Sequence, residues 1–179
     1  MNENVEFRLL QALLRELMPL APERVVIVAS KLERSGLVDP DVVLLSKGTR
    51  LNNREGNFSA VKHYGDTKLC NQHLATVLAD EHPNSKVLTV SPGMVNTGLW
   101  RNFPTWFQAV TYPIRRVALR TPDDAASGVV FACAAEEIEG VASGAFMVDG
   151  VVEECSERGR DLPLSRAVVG ACDSLIDTQ

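Results

Sequence analysis

Val25-Val26-Ile27-Val28-Ala29-Ser30 is the stretch that decides the fold. Its five apolar residues, four of them β-branched, run without polar alternation. A strand with one wet face alternates, whereas a continuous apolar run reads as a strand covered on both faces, as in a parallel sheet between helices. The run closes on Ser30, so a hydroxyl emerges at the C-terminal end of the strand. In open α/β sheets that end is where ligands sit.

Working outward, residues 5–18 read as an amphipathic helix. Leu9, Leu10, Leu13, Leu14 and Leu17 fall at the helical period, and Arg8, Gln11, Arg15 and Glu16 take the other side. Pro19 and Pro22 stop it before the strand. Downstream, residues 31–63 carry turn signals at Arg34-Ser35-Gly36, Asp39-Pro40 and Asn52–Asn57, with Val42-Val43-Leu44-Leu45 as a short helical or extended piece. A second helix covers 64–80, with Leu69, Leu74, Val77 and Leu78 as its apolar stripe. Lys86–Val90 is the next strand, turned at its tip by Ser91-Pro92-Gly93. After an aromatic-rich stretch (Trp100, Phe103, Trp106, Phe107, Tyr112), Thr121-Pro122-Asp123-Asp124 marks a helix start with a threonine cap, proline in the first turn and acids at the positive end. Gly144–Val148 reads as a third buried strand. The remainder, from 151 to 179, reads as a charged tail with a short helix near 164–176. Helix and strand alternate throughout, which argues for an α/β fold with about three parallel strands in a partial Rossmann-like sheet and flanking helices.

Tyr64 and Lys68 stand four apart on the second helix, one turn above the other on a single face. A phenol on its own keeps its proton to about pH 10, and an ammonium one turn away favours the phenolate. That pairing suits proton transfer to or from an alcohol or carbonyl oxygen. On its own it is also compatible with a surface tyrosine beside a solvated lysine. Ser30, in the same way, is compatible with a strand-end serine capping a local amide.

Composition narrows the classes. The chain has 179 residues, 45% hydrophobic and 23% charged, which is the balance of one globular domain. The net charge of −5 and scattered basic residues argue against nucleic acid as a partner. Cys70, Cys133, Cys155 and Cys172 show no CxxC or metal spacing, which points to free thiols in a reducing, cytoplasmic compartment and to no metal. No apolar run approaches the ~18 residues of a membrane span.

Ser30, Tyr64-xxx-Lys68 and Ser91-Pro92-Gly93-Met94-Val95-Asn96-Thr97, in that order, resemble the catalytic half of the short-chain dehydrogenase/reductase family. Tyr64–Leu74, Pro92–Leu99, Leu119–Pro122 and Gly140–Asp149 followed by Glu153-Glu154 are similar to the retinol-dehydrogenase-like branch, which includes WW-domain oxidoreductase. The resemblance implies hydride transfer between NAD or NADP, with the branch leaning to NADP, and a lipophilic alcohol or ketone. It implies Tyr64 as general acid/base, Lys68 on the nicotinamide ribose, and Ser30 as donor to the substrate oxygen. Pro92, Gly93, Val95 and Thr97 would line the cofactor. Asn4 stands for the family's helix asparagine, at a longer spacing from Pro19. In the family, the helices matching 5–18 and 64–80 pair subunits, so a homodimer through them is expected.

The family's TGxxxGxG and NNAG segments are absent from these 179 residues. The chain therefore reads as truncated: residues 1–150 are the C-terminal part of a Rossmann-like domain and 151–179 its tail. The pyrophosphate-binding half of the cofactor site is missing. A reading of another class stands beside the enzyme: a non-catalytic family remnant acting through helix-mediated protein association. Either way, the strand at Val25–Ala29 is expected to leave an open sheet edge.

Overall fold

A computed structural model of the chain describes residues 3–41, 60–95 and 119–176. Five α-helices are present among them: α1 (Glu3–Leu17), α2 (Ala60–Glu81), α3 (Pro122–Ala134), α4 (Glu157–Arg160) and α5 (Leu162–Ile176). The strands are β1 (Arg24–Val28), β2 (Lys86–Ser91), β3 (Phe146–Val148) and β4 (Val151–Glu153). They form one sheet in the order β1-β2-β3-β4, with Ile27 opposite Thr89 and Thr89 opposite Phe146. The first three strands are parallel, as the alternation of elements requires.

β4 is a fourth strand beyond the three expected, and it lies within the stretch read as tail. It returns antiparallel to β3 with Val148 opposite Val151. The two residues between, Asp149 (φ 53°) and Gly150 (φ 80°), both have positive φ. That is the geometry of the tight hairpin turns favoured by Asp-Gly.

The apolar runs of β1 and β2 are explained by a layer on each face. Ile27 and Val87 point into a core with Leu14 and Met18 of the α1 side, Leu69, Leu74 and Leu78 of α2, and Val168 and Cys172 of α5. Leu88, Val90 and Met147 point the other way, against Ala132 of α3 and Ile138. Thr121 caps α3 as expected, its hydroxyl accepting from Asp124 N at 3.1 Å.

Helix α1 differs from its sequence pattern. Gln11, expected outside, is buried; its amide donates to the Val169 carbonyl at 3.1 Å and to Asp173 Oδ1 at 2.7 Å. Leu9, Leu13 and Leu17, expected in the core, are 67%, 53% and 40% exposed. The leucine stripe is wider than the surface α1 meets. α5 supplies polar partners that draw Gln11 inward, and only Leu14 and Met18 on that side become fully buried.

Helix α2 is covered on nearly every side and buries polar groups with partners. Gln72 accepts from Thr89 Oγ1 at 2.6 Å, and Thr76 Oγ1 donates to the Gly159 carbonyl at 2.7 Å. His73 is fully buried, with Nδ1 2.8 Å from Ser165 Oγ of α5. Burial, with Arg158 nearby, lowers its pKa to about 4, so the ring is neutral. The sequence readings at 42–45 and across the aromatic stretch 100–112 lie outside the described residues.

Candidate active site

The C-terminal ends of β1 and β2 are neighbours because the strands are parallel and adjacent. Ala29 N–H donates to the Val90 carbonyl at 2.8 Å, and Lys31 N–H to Ser91 Oγ at 3.2 Å. Ser30 therefore leaves the sheet beside Ser91-Pro92-Gly93. Its backbone is extended, and its hydroxyl oxygen accepts from Leu32 N at 3.3 Å, opening the short 3-10 turn Lys31–Ser35. A hydroxyl used as a cap accepts, so its own hydrogen stays available to donate. The capping role and the donor role are compatible.

The 3-10 turn then crosses the sheet. Lys31 Nζ lies 2.8 Å and Arg34 Nη2 3.0 Å from the Glu153 carboxylate of β4, and the Arg34 guanidinium stands 6.0 Å from the Phe146 ring centre. The paired cations, Lys31 first, hold the Glu153 carboxyl below the usual carboxylate range. Glu33 is fully buried and accepts from Ser156 N at 2.9 Å and Ser156 Oγ at 2.5 Å.

Tyr64 and Lys68 lie near the start of α2. Tyr64 is 41% exposed, and Lys68 Nζ sits over its ring, 5.4 Å from the centroid. At an exposed site such a contact contributes about 0.5–1 kcal/mol. The residues next to Tyr64 turn the other way and hold the segment that follows Ser30. Gly36 and Gly65 approach so closely that a Cβ on Gly65 would stand 2.7 Å from the Leu32 carbonyl oxygen, and one on Gly36 2.7 Å from the Gly65 oxygen. Asp66, fully buried, accepts from Leu37 N at 2.8 Å. One helical turn thus presents Tyr64 outward and clasps the Ser30 turn on its other side.

Asn71 was not singled out by the sequence reading. It continues the Tyr64–Lys68 row by three residues, and its Nδ2 donates to the Val28 carbonyl at 3.2 Å. This ties α2 to the last residue of β1. Its signal was the spacing 64, 68, 71, a single helical face.

Gly93 has φ +76°, a conformation that favours glycine. A Cβ there would lie 3.5 Å from both Arg120 Cδ and Asp149 Oδ1. Arg120 pairs with Asp149, its N–H donates to the Met94 carbonyl at 3.0 Å, and its backbone bridges to Val95. The Pro92–Val95 bend is thereby pinned to the start of α3 and to the β3–β4 hairpin. Thr97 lies outside the described residues. Asn4 falls in the first turn of α1, and its side chain is likewise outside them.

The structure thus gathers Ser30 with Pro92–Gly93 at one sheet edge, and joins the Tyr64–Lys68 helix to that edge through Gly65, Asp66 and Asn71. Among the described residues no hydrogen bond links the Ser30 and Tyr64 hydroxyls. Among the described residues no group of three or more His, Cys, Asp or Glu could hold a metal ion, and no helix is long and apolar enough to cross a membrane. None of the four cysteines is in a disulfide; Cys70 and Cys172 are buried and Cys133 is exposed. Burial raises the thiol pKa of Cys70 well above its ordinary value.

No protein-family model matches the chain. It is 31% identical over 159 residues to dehydrogenase/reductase SDR family member 13 of Bos taurus, covering 87% of this chain and 40% of that protein. Polyprenol dehydrogenase of Danio rerio is 30% identical over 132 residues, 67% of this chain and 40% of that protein. Retinol dehydrogenase 14 of Homo sapiens is 28% identical over 169 residues, 92% of this chain and 47% of that protein. The chain spans less than half the length of these curated relatives and matches their C-terminal portion.

Proposed function

The chain belongs to the short-chain dehydrogenase/reductase family, and from that premise we propose that it carries the catalytic side chains of an NAD(P)-dependent oxidoreductase acting on a lipophilic alcohol or ketone. The observation that carries this reading is Lys68 Nζ over the Tyr64 ring, on a helical turn that also clasps the Ser30 segment. The relatives' names supply the substrate class: a polyprenol and a retinol are lipophilic alcohols.

The side chains at this edge fit the nicotinamide end of such a cofactor. Gly93, without a Cβ, leaves backbone open to a flat ring, while Lys68 offers donors for ribose hydroxyls. Pro92, Val95 and Thr97 would complete the lining, and Asn4 would take the part of the family's helix asparagine. A bound nicotinamide would supply the hydride acceptor or donor, NADP in preference to NAD.

Tyr64 would pass its proton to the substrate oxygen during reduction and take it back during oxidation. Ser30, with its hydrogen free, would donate to the same oxygen as negative charge grows there, the kind of fixed donor that lowers a barrier most. Asn71, Asp66 and Gly65 would keep Tyr64 and Ser30 in register.

The test is Tyr64→Phe in the longest natural protein that contains this chain. Turnover should fall by at least about a hundredfold, the lower range for losing a general acid/base, with cofactor affinity nearly unchanged. Unchanged turnover would show the acid/base assignment to be wrong.

The exposed row Leu9, Leu13 and Leu17 favours a second reading, in which the chain acts through protein association, including a homodimer through its helices. A natural protein that binds no nicotinamide nucleotide yet self-associates would decide for it.

A further inference from the structure

We propose that Glu33 and Ser156 are a positioning pair for the Ser30 hydroxyl, so that the segment after β4 sets the geometry of the donor at the end of β1. The inference deepens the hydride-transfer reading and rests on it. Glu33 belongs to the Ser30 turn by its backbone. Its N–H donates to the Ser30 carbonyl at 3.0 Å, and its carbonyl accepts from Gly36 N at 3.0 Å, which closes the turn that Ser30 opens. Its side chain belongs to a distant segment. Oε1 accepts from Ser156 N at 2.9 Å and Oε2 from Ser156 Oγ at 2.5 Å, across 123 residues of sequence.

Ser156 is held in turn. Its hydroxyl oxygen accepts from Gly159 N at 3.0 Å, capping α4, while the hydroxyl hydrogen goes to Glu33. A Cβ on Gly159 would stand 2.7 Å from Gln72 Cγ and 3.4 Å from Glu33 Oε2, so a glycine there lets α4 pack against α2 and the carboxylate together. Ser30, Glu33, Ser156 and Gly159 thus form one chain of hydrogen bonds from the end of β1 to a capped helix.

Glu33 is fully buried, and a buried carboxylate is a poor device for stability alone. Taking it out of water is costly, and apolar side chains of similar size often hold a fold as well. Two charge-assisted hydrogen bonds to one residue fix direction as well as distance. The Lys31 and Arg34 pairs with Glu153 join the same two segments, but they are exposed enough to be screened. Two further anchors lie at the ends of the turn, Lys31 N on Ser91 Oγ at 3.2 Å and Leu37 N on Asp66 at 2.8 Å. Glu33 stands between them and is the anchor whose own amide holds the Ser30 carbonyl. A donor lowers a barrier by pointing at the oxygen before charge grows there, which requires the turn behind it to stay in place.

The test is a double-mutant cycle in the longest natural protein containing this chain, read as single-turnover hydride transfer from NADPH or NADH to a lipophilic ketone. Glu33→Gln should slow transfer at least about tenfold, within the range that misplacing a reacting group costs, with nucleotide affinity nearly unchanged. In the Ser30→Ala background the same change should slow it no further, because the group it positions is gone. Ser156→Ala leaves the backbone bond to Glu33 and serves in the same cycle where Glu33→Gln impairs folding. It should slow transfer less, with the same dependence on Ser30, and Ser156→Thr, which keeps the hydroxyl, should return the parent rate. Equal losses in the two backgrounds would mark a structural role only and overturn the proposal alone, as would Glu33→Gln and Ser156→Ala proteins as fast as the parent. Ser156→Thr as slow as Ser156→Ala would overturn it too. Ser30→Ala at the parent rate, or no hydride transfer by the folded parent, would overturn the hydride-transfer reading and the proposal with it.

Discussion

The two edges of one sheet meet water in opposite ways. β4 is three residues long, enters through a tight turn, and exposes Val151 and Val152 at 63% and 51%. Its last residue is tied down by Lys31 and Arg34 from the far side of the sheet. β1 is five residues long, apolar after Arg24, and flanked by exposed leucines. Shortness and charge make the β4 edge a finished surface, whereas β1 keeps the character of an interior strand. Composition alone does not separate them, since both carry valines and one ion-paired residue, Arg24 and Glu153; length does.

The largest effect that would sharpen this contrast is Phe146→Ala. The side chain is 1% exposed between the edges, and its loss should cost about 3–5 kcal/mol in urea denaturation. Val28→Ala at the open edge should cost well under half of that; equal costs would mean that β1 is covered as fully as β3.

Acid should act next, through the closed side of the sheet. His73 has a folded pKa of about 4 against an ordinary value of 6.5, so the unfolded chain takes up its proton first as pH falls. The stability this group contributes is present above about pH 6.5 and is lost as pH drops towards 4, a change on the order of 3 kcal/mol. Denaturation midpoints followed from pH 7 to pH 4 should show that loss, and His73→Gln should remove most of the slope in that window. A slope unchanged in the variant would assign the loss to carboxylates instead.

Gly150→Ala should be smaller. With φ at 80°, the added Cβ strains the turn rather than clashing, since Phe131 would be 3.7 Å away. A cost of about 1–2 kcal/mol is expected, with faster amide exchange confined to β4 and its contacts with β3. Glu153→Gln should be smallest. The Lys31 and Arg34 pairs are exposed enough for water and salt to screen them. The variant should keep the midpoint of the parent while losing part of its salt dependence.

Much of the sheet was legible because buried parallel strands write themselves as apolar runs; Val25–Ala29 is such a run, and Val87–Val90 is one but for Thr89. The cap at Thr121 was legible because one side chain makes it. β4 was not, although Asp149-Gly150 is a hairpin signal, because the charged residues after it read as tail. Gln11 was misplaced because periodicity records where apolar residues fall and not which polar partners α5 brings. The site was legible where spacing on one helix fixes a face, as with Tyr64 and Lys68. The clasp of Gly36 on Gly65, Asp66 on Leu37 and Asn71 on Val28 joins segments far apart in sequence; only the face that Asn71 shares with Tyr64 and Lys68 could be read locally, and not its partner.

The claim at the centre is that Tyr64 exchanges a proton with an oxygen whose carbon exchanges hydride with a nicotinamide. Deuteride transfer from 4-deuterated NADPH or NADH to a lipophilic ketone, read by mass spectrometry in the longest natural protein containing the chain, tests it most directly. Deuterium on the carbinol carbon, falling at least about a hundredfold with Tyr64→Phe, is the predicted result. Transfer undiminished in that variant, or no transfer from either nucleotide by a folded protein, would contradict it.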